Sequence, residues 1–232
     1  PYLQDLGVSS ILLFPLYESD CYHNYFANNF ETIDPEFGSM QAYIELVQEI
    51  HRLGMKVYLD METQYVTSKH LWWQDAVGNL NSPYADYLLF DDAAHLQPAT
   101  MVFDLRFLKG YDGQIINVTT VNLKSPKVLD YNIALFSYFL DPNKDGKFDD
   151  GVDGFRLDHA MDHLDGKPTL TNLFAEFWKP LIAAVKKVNP AVKIVAEQAD
   201  WADYGFAYFE KATVDRMFGF GLQKAILSFE KQ

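Results

Sequence analysis

The chain has 232 residues, 49% of them apolar and 16% aromatic, which is enough to close a large core and excludes a disordered chain. With 32 acidic residues against 19 basic ones, the formal net charge is −13; this argues against nucleic acid or an anionic membrane as the main partner and suits a neutral ligand such as a sugar. A single cysteine, Cys21, excludes a disulfide framework and a cysteine metal centre, and no apolar run of about 18 residues is present to span a membrane.

Tyr2 to Leu6 read as the end of a helix stopped by Gly7, and no leader is visible, so the native start is expected elsewhere. Ser10 to Leu16 form a near-continuous apolar run, the pattern of a strand buried on both faces of a parallel sheet. Ser39 is placed to cap a helix carrying Tyr43, Leu46, Val47 and Ile50 on its inner side, and Gly54 closes it. Met55 to Leu59 form the next buried strand and deliver Asp60 at its carboxyl end. From Val66 to about Ser125 the rhythm fails in a stretch rich in aromatics, Asp, Asn and Gly, so an irregular excursion between a strand and its helix is expected. Leu129 to Leu140 restore an amphipathic helix, Gly151 to Leu157 a strand ending at Asp158, and Thr171 to Val188 a helix with Phe174, Phe177, Trp178 and Leu181 inward. Val192 to Ala196 are a strand ending at Glu197, and Val214 to Phe218 suggest one more.

Strand and helix alternating at this spacing mean a parallel sheet with right-handed crossovers, as a barrel or an open doubly wound sheet; in both, chemistry collects at the carboxyl ends of the strands. A single acid after a strand is as often a helix cap as a functional group. Asp60, Asp158 and Glu197 on three successive strands would converge on one rim, where mutual repulsion is unfavourable without a function. Arg156 lies two residues before Asp158, on the same side of the strand, and is expected to keep Asp158 ionised; a purely structural ion pair is the alternative. Glu197 follows Ile194-Val195-Ala196 with no basic neighbour in sequence, an environment suited to a proton donor. A carboxylate facing a carboxylic acid is what glycoside cleavage needs.

Gly154-Phe155-Arg156-Leu157-Asp158 resembles the nucleophile strand of the α-amylase family, and Ile194-Val195-Ala196-Glu197 its acid/base strand. Leu53 to Asp60 resemble its third strand, Gly7 to Pro15 its second, and His23-Asn24-Tyr25 followed by Ile33 to Ser39 its sugar-stacking loop. Five ordered motifs cover essentially the whole chain. The resemblance implies a (β/α)₈ TIM barrel, partial over about strands two to six, with barrel parts at residues 1–65 and 125–232 and an insertion domain at 66–124 after the third strand. It also implies Asp158 as nucleophile, Glu197 as general acid/base, Arg156 beside them, and an α-glucan or oligosaccharide substrate met by Tyr25, His23, Asp60, Tyr65, His159 and His163.

Several positions depart from the pattern. Gln64 and Tyr65 stand where the family usually has Asn and His, which puts one calcium contact and one sugar contact in doubt. Met161 and Asp162 stand where a Lys-His pair is frequent, with His163 beyond. The family's third catalytic acid is not found, so the chain is expected to be a fragment, inactive by itself. Asp141-Pro142-Asn143-Lys144-Asp145-Gly146-Lys147-Phe148-Asp149 has the spacing of a calcium loop, with oxygens from Asp141, Asn143, Asp145, the Lys147 carbonyl and Asp149, and Asp150 or Asp153 as substitutes for the Glu absent at Val152. A structural calcium is the expectation; a plain Asp/Gly turn is the alternative. Trp72, Trp73 and Tyr84 are more often core than a sugar platform, and Asn117-Val118-Thr119 is a weak glycosylation sequon. The reading is a retaining α-glycosidase, with an α-glucan transglycosylase or isomerase and a non-catalytic binding or scaffold relative as alternatives. A metal-dependent barrel hydrolase is discounted because none of the four main strand segments contains a histidine.

Overall fold

In the computed structural model, residues 2–110, 112–164, 166–198 and 205–229 are described. A short helix α1 (Tyr2–Asp5) ends in a turn where Gly7 takes φ +79°, and strand β1 (Ser10–Leu13) follows. Strands β2 (Tyr17–Glu18) and β3 (Asn29–Ile33) pair antiparallel beyond it. Helix α2 (Met40–Arg52) starts where the Ser39 hydroxyl accepts the Ala42 amide at 3.2 Å. It buries Tyr43, Val47 and Ile50, spaced one turn apart, whereas Leu46 is 45% exposed rather than core because it falls at the border of that stripe.

Strand β4 (Lys56–Met61) is followed by β5 (Tyr65–Thr67), helix α3 (Leu71–Ala76), β6 (Phe107–Lys109) and β7 (Ile115–Thr120). The stretch expected to be irregular therefore carries an antiparallel sheet in the order β5-β7-β6. The partners of β5 on β7 lie some fifty residues away, so that ladder leaves little local trace in the sequence, whereas β6 and β7 form a local hairpin. Trp72 is 3% exposed and meets Tyr87 and Tyr131 edge-on at ring separations of 4.8 Å, which makes it core.

Helix α4 (Pro126–Leu140) leads to β8 (Gly154–Leu157); a π turn (Phe174–Trp178) runs into helix α5 (Lys179–Val188), followed by β9 (Lys193–Ala196), β10 (Arg216–Met217) and helix α6 (Phe220–Phe229). The main sheet is wholly parallel in the order β1-β4-β8-β9-β10, each strand next to its predecessor in the sheet's path through the chain. Phe155 and Leu157 of β8 are buried, and Phe136 of α4 meets Phe155 at 4.7 Å between rings. Burying such side chains stabilises the fold by about 1.5–3 kcal/mol each. Gly154 is needed at the start of β8, because a Cβ there would lie 2.4 Å from the Lys193 carbonyl oxygen and 2.5 Å from the Tyr58 ring. The expectation that β1 is buried on both faces is not met: Leu12 is 45% and Phe14 67% exposed, since β1 is an edge strand among the described residues.

At the amino end of the sheet, Asp153 ties two strands and a helix together. It accepts from Lys56 Nζ at 2.7 Å, the Val57 amide at 2.9 Å and His51 Nε2 at 2.8 Å. Burial pushes its carboxyl up, but these donors outweigh that and hold it below its ordinary range.

Candidate active site

Register decides what meets at the carboxyl end of the sheet. Asp60 pairs with Arg156 and Met61 with Leu157, so the next step sets Glu62 beside Asp158; Leu157 pairs with Ala196, so Glu197 lies on the other side of Asp158. The Asp158 amide donates to the Met61 carbonyl at 3.0 Å and the Glu197 amide to the Leu157 carbonyl at 2.8 Å, which carries the ladder to the strand tips. Adjacent strands are about 4.8 Å apart, so Glu62, Asp158 and Glu197 form one row of carboxyl groups.

Arg156 lies one pleat below that row with its side chain 8% exposed. Its Nη1 donates to both oxygens of Asp60 at 2.9 Å and to Asp158, while Nη2 meets Glu197 Oε2 at 3.1 Å. The Phe218 ring covers the guanidinium at 5.1 Å. Burial alone would weaken the charge on Arg156, yet Asp60, Asp158 and Glu197 hold its protonated form firmly. Glu197 therefore has a cation beside it in space although none stands beside it in sequence, and Glu197 Oε2 also accepts the His159 amide at 3.0 Å.

Asp158 departs from the expectation that Arg156 would simply keep it ionised. Burial pushes its carboxyl up to about 6, a hydrogen bond from Glu62 and the charge of Arg156 pull it down, and Glu197 and Asp60 push it up again. Desolvation wins because the side chain is only 19% exposed. Asp60 is 1% exposed and raised by burial as well; Tyr25 donates to its Oδ2 at 2.9 Å. Asp60 thus sits beneath Tyr25 and Arg156, bonded to both, and is not among the residues that line the cleft.

The row opens into a cleft of ≈ 380 Å³ whose lining includes His23, Tyr25, Tyr65 and His159. The His23 Nδ1 accepts the Tyr25 amide at 3.1 Å, and burial pushes its imidazole toward the neutral form. Tyr65 and His159 meet through the Tyr65 hydroxyl and His159 Nδ1 at 3.2 Å; burial and then Arg156 keep His159 neutral against the pull of Glu197. Gln64 is fully buried, and its amide nitrogen donates to the carbonyls of Asp158 at 2.7 Å and His159 at 3.2 Å, pinning the backbone of the β8 tip. His163 is not brought to this cleft: its side chain is 67% exposed, 3.8 Å from Asp162.

Glu62 was not singled out by the sequence, yet it is 1% exposed, lines the cleft and stands beside Asp158 in the row. The available signal was its spacing, two residues after Asp60 on a strand whose side chains alternate.

The Asp141 loop joins the end of α4 to the amino end of β8, whereas this row stands at the strand's carboxyl end. Its side chains accept its own amides: Asp145 N to Asn143 Oδ1 at 2.8 Å, Gly146 N to Asp141 Oδ2 at 3.0 Å and Lys147 N to Asp145 Oδ1 at 2.8 Å. Asp150 is 1% exposed and leaves Oδ1 without a partner, whereas Asp153, the other substitute, is taken up by Lys56, Val57 and His51. Among the described residues no group of three His, Cys, Asp or Glu side chains is gathered in a metal-holding arrangement.

A family model described as the alpha amylase catalytic domain matches residues 1–232. Alpha-amylase 3 of Dictyoglomus thermophilum is 26% identical over 229 residues, covering 98% of this chain and 43% of that protein. The intracellular maltogenic amylase of Bacillus subtilis is 29% identical over 198 residues, covering 84% and 29% respectively. Among solved structures, the α-amylase from H. orenii superposes with a TM-score of 0.75 at 26% identity, covering 96% of this chain and 44% of that one. The chain thus spans less than half the length of these relatives.

Proposed function

This chain belongs to the α-amylase catalytic-domain family and forms part of its (β/α)₈ barrel, and from that premise we propose that it supplies the catalytic core of a retaining α-glycosidase acting on α-glucans or maltooligosaccharides. The observation that carries the reading is the placement of Asp158 and Glu197 on adjacent strand tips, both in contact with the guanidinium of Arg156 and both lining one cleft. In this reading Asp158 attacks the anomeric carbon while Glu197 gives a proton to the departing oxygen, leaving a glycosyl ester on Asp158. Glu197 then takes a proton from water, whose oxygen displaces Asp158 and restores the starting configuration. A carboxylate at about 6 is ionised at neutral pH yet poorly solvated, which suits a nucleophile. Glu197 Oε2 is held by Arg156 and the His159 amide, so Oε1 is the oxygen that carries the exchangeable proton. Tyr25 and Tyr65 offer aromatic and hydroxyl surface to the sugar, and Arg156 and Asp60 position the reacting acids. The names of the relatives, an α-amylase and a maltogenic amylase, agree with this substrate class.

The test is covalent trapping with a mechanism-based α-glucosyl fluoride on the complete gene product, followed by peptide mass mapping. A label on Asp158 supports the enzyme; a folded, carbohydrate-binding protein that takes no label is the scaffold relative instead. Residues 1–232 alone are proposed not to turn over maltooligosaccharide, because the described strands leave an open sheet with β1 at its edge; measurable turnover by this segment would contradict that.

A structural calcium in the Asp141 loop is also proposed. The donors are all oxygen, the chemistry calcium takes, and the buried unpartnered Oδ1 of Asp150 supplies a ligand the nine-residue spacing lacks. Asp141, Asn143, Asp145, the Lys147 carbonyl, Asp149 and Asp150 would hold the ion. When bound it would neutralise the loop's acids and brace the turn between α4 and β8.

A further inference from the structure

Strand register stands Glu62 beside Asp158 at the rim, both line the cleft, and a hydrogen bond from Glu62 holds the Asp158 carboxyl down against burial; this contact has no part in the displacement just described. Two carboxyl groups can hydrogen-bond only when one of them carries a proton, since carboxylates are acceptors alone. Which of the two carries it follows from their surroundings. Asp158 is 19% exposed at its side chain and bonded to Arg156; Glu62 is 1% exposed. Charge settles where cation and solvent are, and the proton where they are scarce.

The other groups around Glu62 agree. Tyr17, from β2, spends its hydroxyl on the Glu62 backbone, donating to the carbonyl at 2.7 Å and accepting the amide at 3.2 Å. The Gln64 backbone N–H donates to Glu62 Oε1 at 2.6 Å, which leaves the other oxygen for the hydroxyl form. Asp60 lies one pleat back on the same strand, Arg156 is engaged with Asp60, Asp158 and Glu197, and Glu197 stands across Asp158 in the row, with the neutral His159 behind it. A second full negative charge at Glu62 would face three other carboxyl groups around one guanidinium.

We propose that Glu62 is a positioning residue that stays a neutral carboxylic acid under working conditions and donates its proton to the Asp158 carboxylate, fixing the nucleophile's orientation. The proposal rests on Asp158 being the nucleophile. The same contact, with the charge of Arg156, opposes the burial that raises the Asp158 carboxyl. Removing that donor leaves burial less opposed, so the nucleophile ionises only at higher pH.

The experiment compares Glu62→Gln and Glu62→Leu with wild type in the complete gene product. The amide of Gln can still donate to Asp158; Leu cannot. The acid limb of kcat/KM is expected to move up by about one pH unit in Glu62→Leu, a roughly tenfold loss on that limb, and to stay near wild type in Glu62→Gln. A wild-type limb in Glu62→Leu, or equal shifts in both variants, overturns the proposal. Infrared difference spectroscopy gives a readout independent of turnover and of whether Glu62→Leu folds. Wild type minus Glu62→Gln is expected to show a protonated-carboxyl stretch above neutral pH; an ionised carboxylate in that difference overturns the proposal. An inactive wild type that still shows the band would sink the glycosidase reading and leave the proton assignment standing.

Discussion

Replacing Asp158 by Asn should abolish turnover and at the same time make the protein more stable at neutral and alkaline pH. The carboxyl of Asp158 is pushed up to about 6 from an ordinary 3.8, chiefly by burial. At about 1.4 kcal/mol per pH unit, holding the ionised form in the fold costs on the order of 3 kcal/mol. Asn has the same shape and no charge; its carbonyl can accept from Arg156 and its amide can donate to Glu62. Allowing for imperfect replacement of those bonds, the gain is roughly 1–3 kcal/mol, a rise of several degrees in Tm for a domain of this size. The sign depends on pH. The folded value lies above the unfolded one, so wild type keeps this term intact in acid, below the unfolded value, and loses it as pH rises through about 6. The two melting curves should therefore nearly coincide near pH 4 and separate progressively toward pH 8, as followed by scanning calorimetry in a common buffer series. An Asn variant that melts below wild type at pH 8, or a gap that ignores pH, would refute the claim that desolvation dominates at Asp158. A retained rate would remove Asp158 from the nucleophile's role altogether.

Three further outcomes follow from the same contacts. Arg156→Met should lower stability by about 3–5 kcal/mol near neutral pH, because it leaves Asp60, Asp158 and Glu197 without their shared cation; urea unfolding checks this, and a loss under 1 kcal/mol would mean water already screens the cluster. Asp153→Ala should destabilise the amino end of the sheet, and the deficit should shrink as pH falls, since a carboxyl held below its ordinary range contributes only while ionised; a deficit unchanged in acid would count against the ion pairs with Lys56 and His51. A chelator should lower Tm through the Asp141 loop, and Asp150→Asn should blunt that response; an unchanged melting temperature argues for a simple turn.

The parallel sheet and the three acids at its rim were legible because each rests on local pattern: apolar runs closed by an acid, and the two-residue spacing of Arg156 and Asp158. What escaped needed partners distant in sequence. Ending the third-strand segment at Leu59 leaves Glu62 well outside it, whereas β4 runs through Met61 and its ladder to β8 sets Glu62, the next residue, beside Asp158. The Arg156 to Glu197 contact depends on the register of β8 and β9, which no local pattern encodes. The sheet β5-β7-β6 joins a local hairpin, β6 with β7, to β5 through distant pairs such as Val66 with Thr119, and that long-range join leaves no local pattern.

The charge count at the rim links the site's ionisation to its geometry. Asp60, Glu62, Asp158 and Glu197 are four carboxyl groups around the one guanidinium of Arg156, and each is at most one-fifth exposed. Four charges against one would be unfavourable by several kcal/mol in so poorly solvated a place. Resident protons are the remaining way to balance it. Glycoside cleavage needs one of them on the acid that faces the leaving oxygen, and the bond between Glu62 and Asp158 needs another. The Nη1 hydrogen bonds of Arg156 point to Asp60 and Asp158, which favours negative charge on those two. In the proposed mechanism, the same strand register that lines up the acids also sets which of them attacks and which donates.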